Sequence, residues 1–345
     1  TRENPDGEYT HFTLEKTNWE TLRAIKELAR SLRVSRKRFG FAGTKDRRAI
    51  TRQRVAVWKV ETDALKRVNI KDLKLSDFKK SDERVSLGDA KGNRFKITVR
   101  DVAIEGDMLE TLLKEAVSQL ERRGVPNYFG YQRFGTIRPN THLVGRELLR
   151  GDIKSATLAY LINPFDGERE DAYNARKTLE ETMDFKRALE LFPKRLGYER
   201  SMLDSLSKNP NDYAGALRRL PKKLRWLFIH AYQGYLFNRV LSRALEKGIE
   251  IETIPLFGYE TVFSDGEQSD IEMAVIEEEG ISLENFDITS MPELSMEGQY
   301  RDAFIKVRPK FTVNEDGYTC EFDLPRGSYA TVVLREFMKA DPLSY

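Results

Sequence analysis

Cysteine is almost absent from this chain: Cys320 is the single one in 345 residues. That excludes an intramolecular disulfide framework and argues against a cysteine-built metal site, which fits a reducing cytoplasm better than an export route. Histidine is as scarce, and His11, His142 and His230 lie far apart with no ligand-spaced pair, so no metal is expected. No apolar run approaches the roughly 18 residues that would suggest a membrane-spanning helix. The opening stretch, residues 1–10, lacks the basic-then-apolar pattern of a signal peptide. The expectation is a cytoplasmic protein with no membrane partner. Because the chain opens on Thr1 in a Pro/Gly/Asp-rich stretch that reads as interior, a further N-terminal segment before it is also expected.

Positive charge is missing from a third kind of place. Residues 248–299 contain no Lys or Arg but 14 acids, whereas residues 30–54 carry ten cations and a single acid, Asp46. The net charge is only +3. A chain that gathers cations locally while staying near neutral overall has a directed site for a polyanion rather than a sticky surface. At 345 residues and 40% hydrophobic, it is long enough for two domains with sizeable cores.

Local patterns divide the chain. Residues 17–20 read as a capping box ahead of a helix over 19–32, and Val55, Val57 and Val60 suggest a strand over 50–60. Phe95, Ile97 and Val99 alternate with polar residues in the next expected strand, 94–100, and an apolar stripe from Met108 to Leu120 predicts a helix ended by Gly124 and Pro126. After Gly151 the pattern becomes helical, around residues 152–162, 172–191, 202–206 and 221–247. Strand patterns return only near Ala303, with a hairpin turning at residues 314–317, and a last helix carries Val332 to Phe337. The expected organisation is a discontinuous domain of residues 1–150 and 304–345, interrupted by a helix-rich insertion over 151–303.

Two stretches stand out chemically. In the first, residues 40–45 resemble a phosphate loop, but the glycines are too close together. Asp46 also stands where a magnesium-binding hydroxyl would follow the lysine, so no nucleotide cofactor is expected. On residue type alone Asp46 reads first as a turn former or cap. Two points favour chemistry instead. Neighbouring cations favour an ionised carboxylate, as a nucleophile or base requires, and an acid inside a cationic surface is costly for polyanion binding. In the second stretch, residues 126–135, four aromatics alternate with Gly and Arg133. Core packing claims most aromatics, yet this mixture also suits base stacking beside phosphate contacts.

Three segments in order, FAGTKDRRAITRQ, PNYFGYQRFG with its continuation RPNTHLVGRELLRGD, and LPRGSYATVVLRE, resemble the signature motifs of the TruD family of tRNA pseudouridine synthases. The resemblance runs through most of the chain, and the 151–303 insertion is similar to the family's TRUD domain. It implies an α+β fold, with a pseudouridine synthase catalytic domain around a mixed, largely antiparallel sheet and a helix-rich α/β insertion. It implies an isomerase that detaches uracil from its ribose, turns it and rejoins it through carbon, most simply at uridine 13 of tRNA, with no cofactor. By the same resemblance Asp46 is the catalytic aspartate, whether as nucleophile or as base. Phe129 matches the aromatic that stacks on the target base, Asn127 a polar neighbour, and Lys45 a local charge support. Arg38, Arg47, Arg48, Arg52, Arg133, Arg138 and Arg326 are the expected RNA contacts. The family's basic active-site residue belongs to a segment before Thr1, with Arg326 and Arg335 as possible stand-ins. A monomer acting on tRNA is expected; the competing readings are a different set of RNA uridines, or an RNA-binding protein without catalysis.

Overall fold

The computed structural model describes residues 3–104 and 106–339. Residues 1–2, Glu105 and residues 340–345 lie outside the described residues, and with them the two ends of the expected discontinuous domain. The chain forms two compact units, residues 1–93 and residues 94–345.

The first unit is a sheet covered by a helix. Strand β1 (Tyr9–Thr17) turns Phe12 and Leu14 inward, and helix α1 (Thr21–Ser31) buries Ala24, Ile25, Leu28 and Ala29 at helical spacing against them. Strands β2 (Phe39–Phe41) and β3 (Ile50–Trp58) supply Phe39, Val55 and Val57 to the same core. Helix α2 (Thr62–Lys66) and strand β4 (Leu73–Ser81) add Leu65 and Leu73. The sheet order is β2-β3-β1-β4, antiparallel throughout. The expected capping box does not form. Thr17 is the last residue of β1, paired with Ile50, and the residue that caps α1, Glu20, makes no side-chain hydrogen bond to the helix start. Strands β1 and β4 carry no apolar run, and β4 slips register where it passes residues 11–13 of β1, with Asp77 at φ 54°.

In the second unit, strand β5 (Gly92–Arg100) leads to helix α3 (Gly106–Arg123) and the short strand β6 (Val125–Pro126). A run of helices follows: α4 (Thr141–Leu149), α5 (Ile153–Leu161), α6 (Glu170–Thr182), α7 (Phe185–Leu191), α8 (Gly197–Lys208), α9 (Tyr213–Arg218) and α10 (Lys222–Lys247). The single helix expected over 172–191 is two. Met183 turns left-handed at φ 51°, and Asp184 restarts the chain by accepting the Arg187 backbone N–H at 2.9 Å. Helix α10 is the axis of this region, with Phe228, Ile229, Tyr232, Leu236, Phe237, Val240 and Leu241 all buried. Burying side chains of this size stabilises by about 1.5–3 kcal/mol each.

The chain then passes through β7 (Thr253–Leu256), α11 (Gly266–Glu278), β8 (Gln299–Asp302) and β9 (Phe304–Ile305). It ends in β10 (Lys310–Asn314), β11 (Gly317–Pro325) and α12 (Ala330–Met338). The hairpin at residues 314–317 forms as expected. Strand β11 sits between β10 and β5. On its outer face Arg94 pairs with Asp323, Lys96 with Glu321, and Thr98 with Thr319, so β5 and β11 run antiparallel. On the inner face Phe95 stacks on Phe322 at 5.7 Å, and Tyr318, Cys320, Phe322 and Leu324 share a core with Leu109 and Leu113 of α3 and Val333 of α12. Residues near the start and the end of this unit therefore share one sheet, and the whole is an α+β protein with antiparallel sheets.

Candidate active site

Asp46 lies in the loop between β2 and β3, with its residue exposed and its backbone held. Two residues do the holding. The Lys16 ammonium donates to the Asp46 main-chain carbonyl at 2.6 Å, and the Lys45 N–H donates to the Thr21 hydroxyl at 2.9 Å. Lys16 and Thr21 are both fully buried. Lys16 continues the inward-facing row Phe12, Leu14, so an ammonium stands at the end of an apolar face, beneath the loop. Burial pushes its pKa down, the Asp46 charge pulls it partly back, and Lys45 opposes that recovery. A fixed backbone under an exposed carboxylate is what a catalytic acid needs: the reacting group reaches out while its position is set from below.

The cations expected around Asp46 are not gathered there. Lys45 is its partly buried neighbour, and Arg47 and Arg48 follow it, exposed, in the same loop. Arg52 points to the opposite face of the sheet from Lys16, where it binds Glu15 at 2.5 Å with Lys74 nearby. Arg38 stands at the other end of β3, stacked on Trp58 at 5.4 Å and donating to the Lys59 carbonyl. At about 3.4 Å per strand residue, that is roughly 20 Å from the Lys16 end.

The aromatic stretch in the second unit has its own geometry. The Asn238 amide of α10 grips Phe129 from both sides: its oxygen accepts the Phe129 N–H at 2.8 Å, and its nitrogen donates to the Phe129 carbonyl at 2.9 Å. Gly234, one turn earlier, leaves room for the ring; a Cβ there would stand 3.0 Å from Phe129 Cγ. Phe129 is only 5% exposed. Phe237 meets its ring edge-on at 5.5 Å, Tyr329 lies at 6.0 Å, and the guanidiniums of Arg301 and Arg133 stand 4.2 and 5.1 Å from its centre. Asn127 is buried and fully engaged. Its amide nitrogen donates to the Asp302 carbonyl at 2.9 Å, and its side-chain oxygen accepts from Arg301 at 2.6 Å and from the Ser328 hydroxyl at 3.2 Å.

Arg301 was not singled out in the sequence, where it closes the acidic stretch on β8. Its guanidinium joins the Asn127 carbonyl and side chain to the Gly327 carbonyl at 3.1 Å, tying the second motif to the third. Burial lowers its pKa to about 10, with Tyr329 and Asp302 resisting and Arg133 adding to the drop.

Arg138, expected among the RNA contacts, faces inward instead. It donates to the carbonyls of Tyr160 at 3.1 Å and Ile162 at 2.6 Å, lies 3.5 Å from Glu168, and is 13% exposed. Burial, with Arg176 beside it, lowers its pKa to about 10. The basic run in the sequence carried no sign of these internal acceptors. Arg326 is exposed in the turn after β11.

Beside the aromatic stretch runs a groove of about 1200 Å³, lined among others by Tyr128, Phe129, Arg239, Arg243, Glu246 and Arg335. Tyr128 binds Ser242 at 3.0 Å there, its hydroxyl pKa raised by burial. Arg239 and Arg243 are tied to Glu278 at 2.7 and 2.5 Å. No group of three or more His, Cys, Asp or Glu among the described residues is arranged to hold a metal. No helix among the described residues is long and apolar enough to cross a membrane.

A family model described as tRNA pseudouridine synthase D (TruD) matches residues 1–254 and 250–337. Among similar proteins, one from Methanosarcina mazei, described as "probable tRNA pseudouridine synthase D", is 38% identical over 99% of this chain and 90% of its own length. A protein of the same description from Methanopyrus kandleri is 42% identical over 97% of this chain and 86% of its own. The fold is similar to a crystal structure from Methanosarcina mazei described as that of the "putative tRNA pseudouridine synthase D (TruD)", with a TM-score of 0.87 at 38% identity, covering 100% of this chain and 91% of that one.

Proposed function

Since the chain belongs to the TruD family of tRNA pseudouridine synthases, we propose that it isomerises uridine 13 of tRNA to pseudouridine with Asp46 as the catalytic carboxylate. The family's reaction, uridine to pseudouridine in tRNA, makes this an isomerase. The observation that carries the assignment of Asp46 is its exposure in a loop whose backbone is clamped by the buried Lys16 and Thr21.

The reaction breaks the bond from ribose C1′ to uracil N1, turns the base, and joins C1′ to C5; C5 gives up its proton and N1 takes one up, so the product is an isomer of the substrate. A carboxylate serves this chemistry either by attacking the sugar or base as a nucleophile or by taking a proton from the sugar as a base. Both courses require a uridine drawn out of its stack and a carboxylate held against it. Lys45 supports the charge there, and Arg47 and Arg48 take phosphates on the same loop. In this reading Asn127 orders the substrate-binding motif. A base can stack on Phe129 only after a guanidinium has left the ring. In this reading residues 1–150 with 304–345 are the catalytic domain and 151–303 the insertion; the sheet that joins β5 to β11 supports the grouping of residues 94–150 with 304–345. A monomer in the cytoplasm completes the reading.

The test is chemical mapping of pseudouridine in tRNA incubated with wild-type protein and with Asp46→Asn. The wild type is expected to modify uridine 13, and the variant to give no product while keeping tRNA affinity within a few fold. Full activity of Asp46→Asn ends the assignment. Modification elsewhere in the RNA retains the chemistry and discards the position, and tRNA binding by the wild type without any product would favour a non-catalytic RNA-binding protein.

A further inference from the structure

Two arginines stand against the Phe129 ring, and neither has an ion-pair partner among the described residues. Their environments explain why this matters. Arg301 donates to carbonyls and to one amide oxygen, all neutral acceptors, while partly buried. Arg133 has its Nε buried with no hydrogen-bond partner at all. Burial and the Arg133 charge both lower the Arg301 pKa, and burial, with the Arg133 charge beside it, lowers that of His230 nearby. Buried arginines elsewhere in the same unit are treated differently: Arg176 binds Glu168 at 3.0 Å and Glu199 at 2.8 Å. Partly buried cations are costly unless an anion compensates them, and among the described residues no carboxylate forms an ion pair with either guanidinium, Asp302 acting on Arg301 only from a distance.

We propose that Arg133 and Arg301 form a phosphate subsite that takes one phosphodiester of the bound RNA beside Phe129. The planar forks of two guanidiniums match the two non-bridging oxygens of a phosphodiester, and the orphaned Arg133 Nε supplies a donor already freed from water. Arg301 is fixed by its carbonyl bonds and sets the position. Arg133, on the turn at residues 131–133, has no such tether and is the one that moves. A phosphate that draws Arg133 outward also uncovers the Phe129 ring for a base, so the same contact both docks the backbone and opens the stacking surface. This inference rests on the reading of the chain as a tRNA enzyme and assigns a particular phosphate contact within it.

The experiment measures tRNA affinity of the full chain against salt concentration, for wild type, Asp46→Asn, Arg133→Gln, Arg133→Lys and Arg301→Lys. Losing one phosphate contact lowers the slope of log affinity against log salt by about 0.7 to 0.9. Arg133→Gln is expected to show that loss and to bind about tenfold more weakly at physiological salt. Asp46→Asn and Arg133→Lys are expected to keep the wild-type slope. Arg301→Lys keeps a cation, so its slope should also hold while its melting temperature falls with the lost carbonyl bonds. If Arg133 only covers Phe129, Arg133→Gln changes the melting temperature and leaves the slope at the wild-type value, and the subsite is overturned. Absence of pseudouridine formation by the wild type would sink the proposed function separately, since the slopes are read from binding alone.

Discussion

Lys16→Met tests whether the clamp beneath Asp46 matters to chemistry rather than to folding. Methionine has nearly the length of lysine and fits an apolar row, but it cannot donate to the Asp46 carbonyl 2.6 Å away. The lost bond involves a charged donor and is worth about 1.5–3 kcal/mol in isolation. Against it stands the cost of keeping an ammonium at zero exposure, which methionine removes. The two nearly cancel, so stability should change by less than about 2 kcal/mol in either direction. Activity should not cancel. With one of two tethers gone the loop drifts, and a misplacement of about 1 Å at a reacting group costs roughly a hundredfold in rate. The assay is single-turnover pseudouridine formation with enzyme in excess over tRNA, read with tRNA affinity and thermal melting on the same samples. The expected pattern is a rate down about a hundredfold, affinity unchanged and melting little moved. Burial lowers the Lys16 pKa below its unfolded value of 10.5, so between those two values the unfolded chain holds the proton and the folded one does not. Wild-type stability therefore gains an increment as pH rises through that window, and Lys16→Met lacks it. A rate within threefold of wild type, with Asp46→Asn inactive, would refute the positioning role.

Three further outcomes are expected. His142, wedged between Phe134 and Tyr235, has its pKa lowered to about 4 by burial and by Arg146, so below pH 6.5 the unfolded state takes up a proton that the folded state refuses. Stability should fall by up to about 3 kcal/mol between pH 6.5 and 4, and His142→Phe, which gives up no hydrogen bond at the unpartnered Nδ1, should flatten that part of a urea-unfolding series against pH. Gly234→Ala drives a methyl to 3.0 Å from Phe129 Cγ, and should lower stability by about 1–3 kcal/mol and slow pseudouridine formation, checked by melting and by the mapping assay. Arg176→Met strands Glu199 in the interior and leaves Glu168 with Arg138 as its remaining cation, so it should cost about 3–5 kcal/mol of stability while the salt slope of tRNA binding stays at the wild-type value.

The candidate site stood out in the sequence through unusual residues, namely one acid among ten cations, four aromatics in ten residues, and three segments in a fixed order, although the fold disperses several of those cations along the first sheet. What escaped is instructive in physical terms. Lys16 looks solvent-facing because lysines usually are, and the strand holding it shows only two inward apolar residues at that end, Phe12 and Leu14. Strand β4, with Lys74, Asp77, Lys79 and Lys80, reads as a polar loop because one of its faces is solvated and its register slips. The split between α6 and α7 carried neither Gly nor Pro; only Asp184, as a cap, hinted at it. Arg138 shows the limit of counting charge. A guanidinium satisfied by backbone carbonyls looks, in sequence, the same as one awaiting a phosphate, and only the fold tells them apart.

The sheet that seats β11 beside β5 also sets a schedule. Thr98 and Thr319 touch although they stand 221 positions apart in the chain. Closing a flexible loop of that length costs about 5 kcal/mol of chain entropy before any pairing is gained. The helices from Thr141 to Lys247 have nearby partners and emerge from the ribosome earlier, so they collapse first and shorten the effective span. Strand β5 must then wait, with the Phe95, Ile97 and Val99 row uncovered, until β11 is made. The aggregation hazard of this protein during synthesis is concentrated in that interval, and it ends when β11 arrives.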